Sequence, residues 1–294
     1  MGFRIRTNLM SMVASRNLKK ANQTMSKSLE QLSSGKRINR SVDDSAGLAI
    51  AEKLNAKKRA LQQVKRNAND GISLLQTAES GLNEMTNMVI RMRELTSQAA
   101  SDTIGQKERD YLNQEFVALR KEVERIQAET EFNGLRILTE DSDQELSVQV
   151  GTGMKAEGVE LNPEHQVIKV NDLDKVKDFS TSIKDLEPLA ITGESGQDLD
   201  GGSPEDIFEV LDNSLEKIAD FRASLGALQN RFDSTLRTID IGIENVSSAK
   251  SRVEDVDYAD ATAKLTQARI MTAASTATLS HANMAPEIVL KLLV

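Results

Sequence analysis

The chain has no cysteine and no tryptophan among its 294 residues, and aromatic residues make up only 3% of it. The missing cysteine excludes disulfides, thiolate metal sites and cysteine nucleophiles. So few large rings argue against one compact globule of this length and in favour of thin helix-on-helix seams. Proline is scarce, and three of its four residues, Pro163, Pro188 and Pro204, fall between the two helical ends. Long apolar runs are also missing. No stretch approaches the roughly 18 residues that a membrane span requires. The N-terminus offers no basic region followed by an apolar stretch and a cleavage site, so no cleaved signal peptide is expected.

The parts of an enzyme are absent as well. His165 and His281 stand apart from any cluster with metal-ligand spacing. Ser34-Gly35-Lys36-Arg37 lacks the upstream glycine and the closing hydroxyl residue of a phosphate loop. There is no zinc-protease, nucleophile-elbow or dinucleotide signature. The reading is a non-enzyme with no catalytic residue, metal or cofactor.

Charge is unevenly spread along a chain of net −8: residues 1–66 carry 15 Lys+Arg against 4 Asp+Glu, and residues 140–220 carry 6 against 21. No aromatic residues interleave with the N-terminal cations, so they read as a solvated helix face and not as a nucleic-acid surface. Such an asymmetry also suits ordered contacts between copies.

What the chain does have is a seven-residue repeat. Leu54, Leu61, Ala68, Leu75, Leu82 and Val89 follow at strict sevens, with Val64, Gly71, Ala78, Met85 and Met92 between them. A second run is Leu112, Phe116, Leu119, Val123 and Ile126; a third goes from Ile207 through Leu211, Ile218, Phe221, Leu225, Phe232, Ile239 and Val246 to Val256. A period near 3.5, below the 3.6 of a straight helix, implies helices supercoiled around one another. The fold class is mainly α: a long coiled-coil bundle formed by the two ends of the chain.

Local signals divide the chain further. Residues 1–34 form a weakly amphipathic helix with Leu18, Ala21, Met25, Leu29 and Leu32 on one stripe, and Gly35 is placed to cap its C-terminus. After a linker over 36–42, Asp43 and Asp44 can cap the next helix, about 44–100, through the free amides of its first turn. Gly71 and Gly81 inside that helix each cost about 1 kcal/mol relative to alanine, and Gly71, on the apolar lattice itself, implies close approach of its backbone to a neighbouring helix. A helix over 106–130 ends at the turn Asn133-Gly134. Alternation at Leu146, Val148 and Val150, then Val167, Ile168 and Val170, predicts a small central β-hairpin within 138–171, followed by acidic loop over 172–202. Ser203 and Pro204 open the next long helix. From about residue 258, Leu265, Ala268, Thr272, Ser275, Leu279, Ala282 and Val289 fall on a heptad of mostly small or polar residues. Such a stripe buries too little area to offset chain entropy, so both ends are expected to order only when something joins them.

Several segments resemble one family. LSSGKRIN (32–39), DDSAGLAIAEKL (43–54), RNANDGISLLQTAESGLNE (66–84), RMRELTSQAA (91–100) and EFNGLRIL (131–138) are similar to the N-terminal region of bacterial flagellins. SLGALQNRFDS (224–234), SRVEDVDYADATAKLTQARI (251–270) and the closing Val289-Leu290-Lys291-Leu292-Leu293 are similar to their C-terminal region.

The resemblance implies a subunit that polymerises into the extracellular flagellar filament for swimming, exported unfolded by the flagellar type III system. It implies three parts: 1–43 with 257–294 as a terminal helical core, disordered in the monomer and lining the inner tube; 44–137 with 203–256 as a helical-bundle middle domain; and 138–202 as hairpin and short variable region. Leu18, Met25, Leu29, Leu32, Leu265, Leu279, Val289 and Leu293 are then the expected self-assembly residues. The implied partners are further copies of the chain, an export chaperone on 258–294, filament cap and hook-associated proteins, and other flagellins. A host Toll-like receptor would read Arg91, Leu95 and Glu115. The alternatives are a hook–filament junction protein of the same superfamily and a soluble coiled-coil adaptor.

Overall fold

A computed structural model describes residues 8–139, 147–151, 167–169 and 204–291. Helix α1 (Leu9–Ser34) is followed by α2 (Ser45–Ala99) and α3 (Gln106–Glu129). Then come the short strands β1 (Glu131–Phe132), β2 (Leu135–Arg136), β3 (Ser147–Gln149) and β4 (Val167–Lys169), and the helices α4 (Pro204–Glu254) and α5 (Tyr258–Lys291). Two compact units form: Arg59–Ile243, and Met1–Lys58 together with Glu244–Val294.

The unit Arg59–Ile243 holds the main core, and the heptad lattice builds it. Ala68, Leu75, Ala78, Leu82, Met85, Val89 and Met92 of α2 are buried with Phe116 and Val123 of α3 and with Ile207, Leu211, Ile218, Phe221, Leu225 and Phe232 of α4. Ile137 and Leu138 join the same core. Two hydroxyl residues sit in it without an unmet donor: Thr96 Oγ1 donates to the Met92 carbonyl at 2.9 Å and Ser214 Oγ to the Val210 carbonyl at 2.8 Å. Each bond runs back one helical turn, which is how buried Ser and Thr are satisfied within a helix.

The helix glycines make room for side chains. A Cβ on Gly71 would stand 2.9 Å from Phe232 Cζ and 3.3 Å from Val148 Cγ2; one on Gly81 would stand 3.0 Å from Thr130 Oγ1. The close approach to a neighbouring helix expected at Gly71 is present: the neighbour is α4, through its Phe232 ring, with the strand residue Val148 beside it. Buried Arg109 closes the α2–α3 connection, its Nε donating to the Ala99 carbonyl at 3.1 Å and its Nη2 to the Ser101 carbonyl at 3.2 Å. Ala99 is the last residue of α2 and Ser101 lies just beyond it, where a cation complements the helix dipole.

Asn133 and Gly134 both have positive φ, 53° and 78°, and β1 pairs antiparallel with β2 across them. That conformation is the two-residue turn whose twist matches a hairpin, so the Asn-Gly turn carries a minimal hairpin in addition to the central one expected from the sequence. The expected central hairpin is present as β3–β4, antiparallel with Ser147↔Lys169, Val148↔Ile168 and Gln149↔Val167 in register. Val148 packs on the core, and Asn67 Nδ2 donates to the Gln149 carbonyl at 3.2 Å. The acidic loop expected over 172–202, and the cap expected at Ser203, lie outside the described residues.

Candidate assembly surface

The second unit is built on α1 and α5. Asn8 Nδ2 donates to the Ala282 carbonyl at 2.7 Å at one end, and the Val256 amide donates to the Gly35 carbonyl at 3.0 Å at the other, so the two helices run antiparallel. Ala14, Ala21 and Ser28, spaced by sevens on α1, are buried, as are Ala261, Leu265, Ala268 and Ser275 of α5. Small side chains let the two backbones approach closely but remove little apolar surface from water.

The expected stripe on α1 meets the seam at Ala21 and otherwise lies beside it. Leu18, Met25 and Leu32 are half-buried at the flanks of the seam, Leu29 is exposed, and the seam itself is Ala14–Ala21–Ser28. On α5, Leu265 is buried and Leu279 half-buried. The side chain of Val289, and Leu293 altogether, lie outside the described residues. Large apolar side chains remain uncovered on both helices: Leu9, Met10, Met12, Val13 and Leu29 on α1, and Ile270, Met271 and Met284 on α5. An apolar surface of this kind marks a place where protein meets protein.

The connections at the other end of the seam are firmly tied. Gly35, with φ 71° and ψ 7°, ends α1 in the left-handed conformation and donates its amide to the Gln31 carbonyl at 2.9 Å. Lys36 and Asp255 then form an antiparallel bridge, with the Arg37 amide on the Glu254 carbonyl at 2.7 Å. Lys36 Nζ stands 2.5 Å from Glu254 Oε1, and Lys250 Nζ 3.4 Å from Oε2. The hydrogen bond from Lys36 holds the largely buried Glu254 carboxyl below its ordinary range against the opposing effect of burial, and Glu254 in turn raises Lys36.

The two expected acid caps do different things. Asp44 Oδ1 accepts from the Gly47 amide at 2.8 Å, which is the capping bond of α2. Asp43 does not cap that helix. Its Oδ2 accepts from the Asn39 and Arg40 amides at 3.3 and 3.2 Å, and its Oδ1 stands 2.7 Å from Lys27 Nζ. It closes the linker turn and fastens it to α1, and the Lys27 hydrogen bond is the main cause of its lowered pKa. An open groove of about 870 Å³ lies there, with Leu18, Lys27, Val42 and Asp43 among its lining.

Of the expected receptor-facing residues, Arg91 and Glu115 are exposed and paired at 2.9 Å, with Glu94 3.0 Å from the same guanidinium. Leu95 is not on that surface. It is fully buried in the core, because a three-helix bundle covers a wider face of α2 than a two-helix seam would. Among the described residues, no group of three or more His, Asp or Glu could hold a metal ion, and no helix is long and apolar enough to cross a membrane.

Residues 5–143 match the family model described as the bacterial flagellin N-terminal helical region, and residues 208–293 match that of the C-terminal helical region. A flagellin of Halalkalibacterium halodurans is 39% identical over 289 residues, covering 98% of this chain and 99% of that one. The chain belongs to the bacterial flagellin family. It is also similar to a flagellar filament 33 kDa core protein of Treponema phagedenis, 34% identical over 292 residues, with 98% and 99% of the two chains covered. A solved structure assigned as a flagellar hook-associated protein of Vibrio parahaemolyticus matches with a TM-score of 0.55 at 13% identity, over 72% of this chain and 100% of that one. At that identity the likeness is one of fold alone. Flagellins are structural proteins that polymerise into the filament outside the cell, and this chain is such a filament subunit.

Proposed function

We propose that this flagellin builds a filament that serves swimming motility, and that its two chain ends hold the filament together. In this reading 1–43 and 257–294 line the inner tube, 44–137 and 203–256 form the layer around it, and 138–202 supplies a short outer surface. The observation that carries it is the division of labour on α1 and α5. Small residues face each other in the seam, while Leu9, Val13, Leu29 and Ile270 stay uncovered. A free subunit gains little by burying that seam, and neighbouring copies supply the missing apolar partners. Leu18, Met25, Leu32, Leu265, Leu279, Val289 and Leu293 belong to the same assembly set.

Export through the flagellar type III channel accompanies this role. A chaperone that covers 258–294 before export would shield the apolar residues of α5. The filament cap, hook-associated proteins and other flagellins are the further partners, meeting the same ends. For a Toll-like receptor, the exposed Arg91–Glu115 pair is the candidate contact, without Leu95. A hook–filament junction protein is the alternative, but 39% identity to a flagellin along nearly the whole chain favours the filament subunit.

Truncation tests the reading. Removing 1–40, or 258–294, is expected to leave a soluble helical protein that forms no filaments from seeds. A truncated chain that still elongated normal filaments would overturn the proposed role of the ends.

A further inference from the structure

Ten methionines are unevenly placed in this chain. Met85 and Met92 are completely buried in the Arg59–Ile243 core, whereas Met10, Met12, Met271 and Met284 are 49% to 73% exposed on α1 and α5. The Asn8–Ala282 hydrogen bond brings the start of α1, with Met10 and Met12, to the end of α5 that bears Met284. The surface that remains for other copies is therefore rich in thioethers.

We propose that Met10, Met12, Met271 and Met284 are an oxidation site that gates filament growth: a hydroperoxide converts them to sulfoxides in the free subunit, and the modified subunit no longer adds. The inference rests on the reading of α1 and α5 as the polymerising surface. In the step, the thioether sulfur attacks the distal peroxide oxygen and the O–O bond breaks. One oxygen is transferred to sulfur, which is oxidised by two electrons, and the peroxide is reduced to water or an alcohol.

The consequences differ between the two states of the chain. In the free subunit these side chains are 49% to 73% exposed, so the sulfoxide oxygen can turn to water and the fold persists. On addition to a filament the new S=O dipole would have to be desolvated in an apolar contact, which opposes burial. Within a filament the thioethers are covered, so existing filaments resist the same oxidant. Met85 and Met92 are shielded in both states.

The test treats the full-length chain with hydrogen peroxide, removes the oxidant, adds filament fragments as seeds, and measures the critical concentration by sedimentation. Peptide mass spectrometry maps the sulfoxides. The expected result is modification of the four exposed methionines ahead of Met85 and Met92, unchanged helical circular dichroism, and a critical concentration raised by about tenfold or more. A chain carrying M10L, M12L, M271L and M284L should elongate equally well with and without treatment. The gate is overturned if treated wild type bearing the four sulfoxides elongates as before, or if the leucine variant is inhibited equally. Should that variant fail to assemble untreated, oxidation rates decide: the four methionines must react at least about tenfold more slowly in wild-type filaments than in free subunits, and equal rates overturn the proposal. Untreated wild type that forms no filaments, or an I270Q chain that assembles as well as wild type, would instead overturn the polymerising-surface reading and the gate with it.

Discussion

Replacing Leu9, Val13 and Leu29 together by glutamine separates assembly from folding. These three side chains are 43% to 61% exposed in the free subunit, so each has about half of its surface left to bury. Complete burial of an aliphatic side chain is worth about 1.5–3 kcal/mol; half of that is about 1 kcal/mol each and about 3 kcal/mol for the set. By the relation between free energy and equilibrium constant, the critical concentration for filament growth should rise about 100-fold. Glutamine is a good helix former, so α1 itself is not penalised. Seeded light scattering gives the critical concentration, and circular dichroism checks that helix content is retained. A critical concentration within about twofold of wild type, with about 0.4 kcal/mol as its equivalent, would refute the assignment of this face. Loss of helicity in the free subunit would show instead that these residues hold the monomer together.

Three further outcomes follow from the geometry. G71V should destabilise the Arg59–Ile243 unit by about 1–3 kcal/mol in urea unfolding, because the new side chain meets the Phe232 ring, and F232L in the same chain should restore part of the loss. G35A forces an L side chain to φ 71° and sets its Cβ 3.3 Å from Tyr258 Oη, so thermal unfolding of the terminal unit should fall by about 1 kcal/mol. Acid should loosen the linker bridge. The Glu254 carboxyl is lowered from an ordinary value of 4.5, so its contribution is complete above that pH and is lost as pH falls through the lower folded value; E254Q should flatten the dependence of stability on pH in that range.

The bundle core was legible because its signal is periodic and strong. Leu75, Leu82 and Val89 lie at strict sevens, and all three are fully buried. The seam of the terminal unit was harder to place. Ala14, Ala21 and Ser28 also lie at sevens, but small residues carry little hydropathy, so the expected stripe held Ala21 and the larger Leu18, Met25, Leu29 and Leu32 in place of Ala14 and Ser28. Those larger residues matter for what they leave uncovered. Leu74 and Leu95 flank the lattice and are buried in a core that α2 shares with α3, α4 and the segment at Ile137 and Leu138, which a two-helix heptad does not encode. Asp43 and Asp44 are adjacent acids with equal capping propensity. Only the path of the linker decides that Asp44 caps α2 and Asp43 meets Lys27. Arg109 was invisible for the same kind of reason, since its partners are backbone carbonyls.

Electron cryomicroscopy of filaments grown from the full-length chain would decide what the two chain ends do. The expected tube has an innermost wall formed by α1 and α5, with Leu9, Val13, Leu29 and Ile270 buried against neighbouring copies. A filament in which those four side chains face solvent, or in which the contacts between copies are made by the Arg59–Ile243 unit alone, would contradict it.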